Sequence, residues 1–113
     1  MKDYLLVFRS DHNNMPEVTP EEAQAETKRW MDWIGGIAAQ NRLTNRGNRL
    51  YNSGKVLKSG GVVTNGPFIE IKESIGGYTL VKAESYDQAV ELAKGCPILT
   101  AGGNVEIREI SNL

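Results

Sequence analysis

The feature that most constrains the fold is an unbroken apolar run near the start of the chain, Tyr4-Leu5-Leu6-Val7-Phe8. Successive side chains of a β-strand point to opposite faces, so a continuous apolar run predicts a central strand that is covered on both faces. The run is also far too short to span a bilayer or to form the apolar region of a signal peptide. We therefore expect a sheet with two covered faces and no membrane partner.

Composition narrows the class of protein further. The 113 residues predict a single domain over residues 1–113, and 13 basic against 14 acidic residues give a net charge of −1. A chain without a basic excess has no global field that attracts nucleic acid, so we expect no nucleic-acid partner. One cysteine, Cys96, and one histidine, His12, exclude an internal disulfide and a His/Cys metal site. We predict no metal, no cofactor and a cytoplasmic location.

The first helix has the clearest start signal. Thr19 is predicted as its N-cap, Pro20 as its first helical residue and Glu22 as the closing residue of a capping box. Gly35-Gly36 interrupts the pattern, but the apolar spacing continues, so we predict a helix to about Asn41. An apolar face that we expect to bury against a sheet is formed by Ala23, Thr27, Trp30, Ile34, Ile37 and Ala38, widened by Trp33.

The rest of the chain predicts a hairpin, two strands and a second helix. Residues 58–62 (KSGGV) are typical of a tight turn between strands, within a Gly-, Asn- and Ser-rich segment from 42 to 66. Residues 78–83 predict a strand that Gly76-Gly77 introduces, and residues 104–110 predict the last strand. Ser85 is the predicted cap of the second helix, which ends before Cys96-Pro97.

This order predicts an α+β fold of the ferredoxin-like, split βαβ type, an antiparallel sheet with two helices on one face. The other face then needs a cover, because the strands carry apolar runs on both sides. We expect a homodimer in which a second copy supplies that cover through an isologous contact. The alternative is a monomer in which residues 42–75 cover the face.

The run Asn65-Gly66-Pro67-Phe68, followed by residues 69–73 (IEIKE) and Gly76-Gly77, resembles the signature of YCII-related proteins. It is closest to the branch named for its Asp-Gly-Pro-Phe (DGPF) motif, and the resemblance extends over nearly the whole chain. It implies a dimeric α+β barrel built from ferredoxin-like halves.

The resemblance also points to positions that carry protons in some relatives. A His on the first helix and an Asp near the end of the second are proposed there as an acid/base pair, and one relative is a dehydrochlorinase. Trp30 stands at the position of that His, Cys96 at the position of that Asp, and Asn65 replaces the Asp of the motif.

Candidate ligand-binding residues follow from the turn and from the aromatic side chains. Asn65 could orient a polar ligand beside Phe68, because its amide both donates and accepts hydrogen bonds. Lys72 lies two residues after Glu70, so on a strand the two side chains would share one face, where they either pair over a pocket or form a solvated surface. Trp30 and Trp33 either line the ligand pocket or pack as core residues.

The two weak catalytic candidates are Glu70 and His12. Burial beside Phe68 would raise the pKa of Glu70 toward neutrality, and a histidine titrates near neutral pH. The leading hypothesis is a dimer that binds a small polar or aromatic molecule near the turn. The alternatives are a dehydrochlorinase-like lyase or isomerase with Glu70 or His12 as its base, and a structural or regulatory dimer without ligand.

Overall fold

A computed structural model describes residues 1–11, 17–66 and 74–112. Its strands are β1 (Lys2–Ser10), β2 (Leu43–Arg49), β3 (Lys55–Leu57), β4 (Val63–Asn65), β5 (Ser74–Ala83) and β6 (Asn104–Glu109). Its α-helices are α1 (Pro20–Ala39) and α2 (Tyr86–Ala93), and a short 3₁₀ helix spans Pro97–Leu99. No helix within the described ranges is long and apolar enough to cross a membrane.

Four strands form the main sheet in the order β2-β5-β1-β6, and all neighbouring strands in it are antiparallel. Strand β1 is therefore central, as its apolar run predicts. The main sheet is built from two strand-helix-strand units, β1-α1-β2 and β5-α2-β6. This is the predicted ferredoxin-like topology, and the fold prediction is confirmed.

The core lies between one face of the sheet and the two α-helices. Alternate residues of β1, namely Tyr4, Leu6 and Phe8, point into it and are nearly inaccessible to solvent. Ile37 of α1 and Ala89 of α2 pack against them. Both helices therefore cover the same face of the sheet, and the opposite face carries the odd-numbered residues of β1.

Both predicted N-caps are present, while the side-chain half of the capping box predicted at Glu22 stays a prediction. The Thr19 hydroxyl accepts a hydrogen bond from the Glu22 backbone N–H at 3.1 Å, and the Ser85 hydroxyl accepts one from the Gln88 backbone N–H at 3.2 Å. Each cap satisfies one of the backbone donors that a helix start leaves without an intrahelical acceptor. Helix α1 ends at Ala39 rather than at Asn41, which takes a left-handed φ of 58°.

The predicted burial of the apolar face of α1 is only partly correct. Ile37 is buried, and Trp30, Trp33 and Ile34 are half-buried, but other residues of the predicted face are solvent-exposed. The exposed members are Ala23, Thr27 and Ala38. The helix meets the sheet through Trp30, Trp33 and Ile37, so only one part of the predicted face is buried and its outer members face solvent.

Strand β2 was not predicted, because its sequence LTNRGNR lacks an apolar alternation. Tertiary contacts hold it against β5 instead. The Thr79 hydroxyl donates to the Arg46 carbonyl at 2.9 Å, and the register between β2 and β5 shifts twice. Gly47, with φ of 71°, lies in this irregular stretch, where an added Cβ would come within 1.7 Å of the Tyr78 carbonyl oxygen. Only glycine fits at this position.

Two further differences concern glycines and the hairpin. Gly76-Gly77 does not precede β5 but lies within it, and Gly77 pairs with Phe8. The predicted hairpin is present as β3 and β4, which form a separate two-stranded sheet. We call residues 55–65 the arm. It is the tip of the long connection between β2 and β5, and neither of its strands pairs with the main sheet.

Candidate functional site

Three aromatic rings meet where α1 crosses the end of β1. The Phe8 ring lies 4.9 Å from the Trp30 ring and 5.8 Å from the Trp33 ring, measured between centroids, and the two indoles are 5.8 Å apart. All three pairs are close to edge-to-face, the arrangement that aromatic quadrupoles favour. The structure therefore brings together two predicted ligand-binding residues, Trp30 and Trp33, as one packed cluster.

Both indole N–H groups in the cluster have acceptors. Trp33 Nε1 donates to the Leu92 carbonyl at 2.8 Å, which ties α1 to α2, and an added Cβ on Gly95 would approach the Trp33 ring to 3.0 Å. Trp30 Nε1 donates to Glu26 Oε1 at 3.2 Å. The bond to the Leu92 carbonyl holds the Trp33 indole between the two helices. Trp30 and Trp33 are both half-buried, and ligand binding by either stays a prediction.

Cys96 lies close to this cluster, at the N-terminus of the 3₁₀ helix. Its thiol is only 2% exposed, and burial raises its pKa from 9.0 to about 12. The Ile98 backbone N–H opposes that shift, and the negative charge of Glu26 adds to it. The thiol therefore stays protonated at neutral pH and is not a nucleophile.

Glu26 interacts with both Trp30 and Cys96, the two positions to which the motif resemblance assigns a proposed acid/base pair. Its carboxylate accepts hydrogen bonds from Trp30 and Arg29, and its charge reaches the Cys96 thiol. An indole and a thiol with a pKa of about 12 cannot exchange protons near neutral pH. Within the described residues, Glu26, Trp30 and Cys96 therefore form a packed group rather than an acid/base site.

The remaining predicted site residues are placed apart from the cluster or lie outside the described ranges. Asn65 is exposed on β4, where its Oδ1 accepts a hydrogen bond from Lys55 Nζ at 2.9 Å. Phe68, Glu70, Lys72 and His12 lie outside the described residues, so their roles remain predictions. The described residues include no group of three or more His, Cys, Asp or Glu side chains that could hold a metal ion.

The open face of the main sheet, opposite the helices, combines apolar and charged side chains. Leu5 pairs with Leu80, and Val7 pairs with Tyr78, so these four residues form an apolar centre. No helix covers that centre in the described parts of the chain, and Leu5, Leu80 and Tyr78 are only half-buried. The apolar run of β1 predicts this face, but nothing in that run indicates which residues β5 contributes to it.

An ion pair borders the apolar centre. Arg9 Nε donates to Glu106 Oε1 at 3.1 Å, and Arg108 Nη1 donates to Glu106 Oε2 at 3.3 Å. These two hydrogen bonds lower the pKa of the Glu106 carboxyl group, so it remains ionised at neutral pH. Sequence reasoning missed this group, because Arg9 and Glu106 are 97 positions apart and only the pairing of β1 with β6 joins them.

A cleft lies between the two α-helices. This cleft of about 510 Å³ has Trp33, Ile37 and Leu92 among its lining residues, with Asp32, Arg42 and Glu91. Gln88 Oε1 accepts hydrogen bonds from Arg42 Nη1 and from the Glu84 backbone N–H, each at 2.7 Å. The Arg42 guanidinium therefore binds a side chain in the first turn of α2.

Comparison with known protein families identifies the domain. The model of the YCII-related domain matches residues 5–113. The chain belongs to the YCII-related family. This match confirms the family that the motif resembles, whereas membership of the DGPF branch stays a prediction.

A search of curated proteins finds no match to this YCII-related chain. Among solved structures, the chain is similar to 5-chloro-2-hydroxyhydroquinone dehydrochlorinase from Burkholderia phenoliruptrix, in complex with 2,5-dihydroxybenzoquinone. That similarity covers 96% of this chain and 93% of the other, with 16% sequence identity and a TM-score of 0.41.

Proposed function

We propose that this YCII-related protein is a homodimer that binds a small polar or aromatic molecule between the open faces of its two sheets. The single observation that carries the proposal is the one-sided placement of the helices. Both α-helices cover the face that contains Tyr4, Leu6 and Phe8, and the described residues provide no helix for the other face. A second copy of the same face would cover it by a self-complementary contact.

The open face has the composition of an interface with a ligand site. Burial of its apolar centre would stabilise the dimer by about 25 cal/mol for each Å² of apolar surface removed from water. The Arg9–Glu106 ion pair beside that centre supplies fixed hydrogen-bonding groups. Tyr78 adds a phenol whose oxygen accepts a hydrogen bond from Asn48 Nδ2 at 3.2 Å. A few polar groups around an apolar surface are typical of small-molecule sites.

The ligand class follows from the same groups. An aromatic ring fits between the apolar side chains, and a hydroxyl or carbonyl substituent matches the guanidinium and phenol groups at the edge. Asn65 and Phe68 would complete the pocket, as the sequence motif predicts. In this proposal the ionised Glu106 orients the two arginines rather than accepting a proton from the ligand.

The test combines oligomeric state with ligand binding. Sedimentation equilibrium at micromolar concentration should give twice the mass of one chain, and a panel of small hydroxylated aromatic compounds should contain members that raise Tm. Leu80→Asp should convert the protein to a folded monomer and abolish the rise in Tm, because it places a charge at the centre of the open face.

Leu99→Asp is the matched control, since Leu99 is an exposed residue at the end of the 3₁₀ helix. It should leave both the dimer and the ligand response unchanged. A wild-type protein that sediments as a single chain would contradict the dimer. A dimer with no response to any panel member would instead favour the structural or regulatory alternative.

A further inference from the structure

Three charged side chains of the open face form a connected group beside its apolar centre. Strand pairing places Glu106 opposite Val7 and Arg108 opposite Leu5, on the face that the helices leave uncovered. Arg9 donates to one oxygen of the Glu106 carboxylate and Arg108 donates to the other, at 3.1 and 3.3 Å. We call Arg9, Glu106 and Arg108 the charged triad. Its single carboxylate is shared by two guanidinium groups, so the triad carries more positive than negative charge.

Arg108 is the member of the charged triad that is placed to bind a further anion. Its side chain is 71% exposed, against 38% for Glu106 and 22% for Arg9. With the residues that the structure describes, its guanidinium makes one hydrogen bond, through Nη1, although a guanidinium has five N–H donors. A planar fork of such donors matches the two oxygens of a carboxylate. The bond to Glu106 holds this fork next to the apolar centre.

A polar group also lies on the other side of the apolar centre. Tyr78 belongs to β5 and Arg108 to β6, and β1 runs between these two strands. Neighbouring strands are about 4.8 Å apart, so the backbones of β5 and β6 are separated by roughly 10 Å. The Tyr78 hydroxyl accepts a hydrogen bond from Asn48 and has its own proton to donate. A cation, an apolar surface and a hydroxyl in this order fit one aromatic ring with polar substituents at opposite ends.

We propose that the ligand of the open face is an aromatic carboxylate, with its carboxylate on the Arg108 guanidinium and its ring on Leu5 and Leu80. This inference rests on the proposed function, because it names the ligand class for the site between two open faces. Closure of the dimer would remove Arg108 from water, and a buried guanidinium is costly without an anion beside it. Since Arg108 shares the Glu106 carboxylate with Arg9, the ligand would supply a carboxylate for Arg108.

The test compares two probes that differ in charge. 4-Hydroxybenzoate and 4-hydroxybenzamide have nearly the same shape, but only the benzoate is an anion at neutral pH. The wild-type dimer should bind the benzoate about tenfold more tightly than the amide, because hydrogen bonds between charged groups are stronger than neutral ones. Titrations followed by NMR measure both dissociation constants. The benzoate should shift the backbone amide signals of Leu5, Val7 and Arg108.

Two substitutions of Arg108 isolate the role of its guanidinium. Arg108→Gln should lower the affinity for the benzoate about tenfold, to the level of the amide, and leave the affinity for the amide unchanged. Arg108→Lys keeps the charge but loses the planar fork, so its affinity for the benzoate should lie between those of the wild type and Arg108→Gln. The control is Lys94→Gln, which removes the same charge from an exposed lysine at the end of α2 and should change neither affinity.

The dimer itself gives a second measurement. Without ligand, Arg108→Gln should dimerise at least as tightly as the wild type in sedimentation, because the interface no longer encloses a guanidinium that lacks its anion. A weaker dimer would show that Arg108 binds a group of the second copy instead, and it would overturn the assignment of Arg108 to a ligand. Circular dichroism checks that each variant is folded.

The outcomes separate this inference from the proposed function. Loss of the preference for the benzoate in Arg108→Gln, at unchanged affinity for the amide, supports the aromatic carboxylate. A wild-type dimer that binds the two probes equally, or binds neither, would overturn this ligand class and leave the dimer in place. A preference that persists in Arg108→Gln would overturn the role of Arg108. A wild-type protein that sediments as a single chain would overturn both proposals.

Discussion

At the scale of single residues, burial decides what a side chain can do. Cys96 has the chemistry of a nucleophile, but its thiol is enclosed and its pKa rises to about 12. The sequence could predict that Cys96 follows the end of α2, because Gly95 and Pro97 mark that end. The sequence could not reveal the charge of Glu26 beside the thiol, since 70 positions separate the two residues and only the packing of α1 on the 3₁₀ helix joins them.

We expect native Cys96 to resist alkylation. A shift in pKa from 9.0 to about 12 lowers the thiolate fraction at pH 8 by about three powers of ten, and burial slows access further. Iodoacetamide at pH 8 should leave the folded protein unmodified for hours and label the same protein rapidly in denaturant, as measured by intact mass. Rapid labelling of the folded protein would contradict the burial of this thiol.

The same shift gives an alkaline pH dependence. The pKa of the Cys96 thiol is higher in the folded protein than in the unfolded chain, so the thiol binds its proton more tightly in the native state. Its contribution to the free energy of unfolding is therefore complete below pH 9. Between pH 9 and about 12 the unfolded chain loses this proton first, and the free energy of unfolding should fall more steeply than in Cys96→Ala. Equal slopes for both proteins would show that Cys96 is not the group responsible.

At the scale of elements, local signals predicted the helices and the central strand but not the edge strand. The caps at Thr19 and Ser85 act through neighbouring residues, so the sequence is enough to predict them. Strand β2 depends on Thr79 and Tyr78 of a distant strand, and its own residues are mostly polar. The extent of the buried face of α1 could not be predicted either, because the apolar face of the helix is wider than the surface that the sheet can bury.

Two glycine substitutions should have opposite effects on stability. Gly47→Ala should destabilise the protein by several kcal/mol, because the new Cβ would meet the Tyr78 carbonyl and the φ of 71° disfavours any side chain. Gly35→Ala should stabilise it by up to about 1 kcal/mol, since nothing lies within 4 Å of the added atom and the helix gains propensity. Urea denaturation of both variants measures the difference. A neutral Gly47→Ala would show that the irregularity in β2 relaxes freely.

At the scale of the whole molecule, the described shape is flat and extended. Its dimensions are 45 × 43 × 19 Å, and its radius of gyration is 15.5 Å, against about 13 Å for a compact domain of this length. One sheet and one layer of helices account for the smallest dimension. The sequence predicts these two layers. It does not predict that the arm stays separate from the main sheet, because a hairpin signal does not indicate which surface the hairpin packs against.

A thin molecule of this kind should gain stability from association. We expect the thermal midpoint to rise with protein concentration, because a dimer that dissociates on unfolding is stabilised by mass action. Calorimetry from 5 to 500 μM should show an upward shift of a few degrees in the wild type and none in Leu80→Asp. A midpoint that is independent of concentration in both proteins would argue for a self-sufficient single chain.

The irregular strand β2 has a consequence for how many copies can join. Strand β2 lies at one edge of the sheet, where a regular strand would offer a row of hydrogen-bonding groups to any extended polypeptide. The kink at Gly47 breaks that row, and Arg46 and Arg49 repel an identical neighbour. Growth into open-ended, amyloid-like stacks is therefore disfavoured along this edge of the sheet.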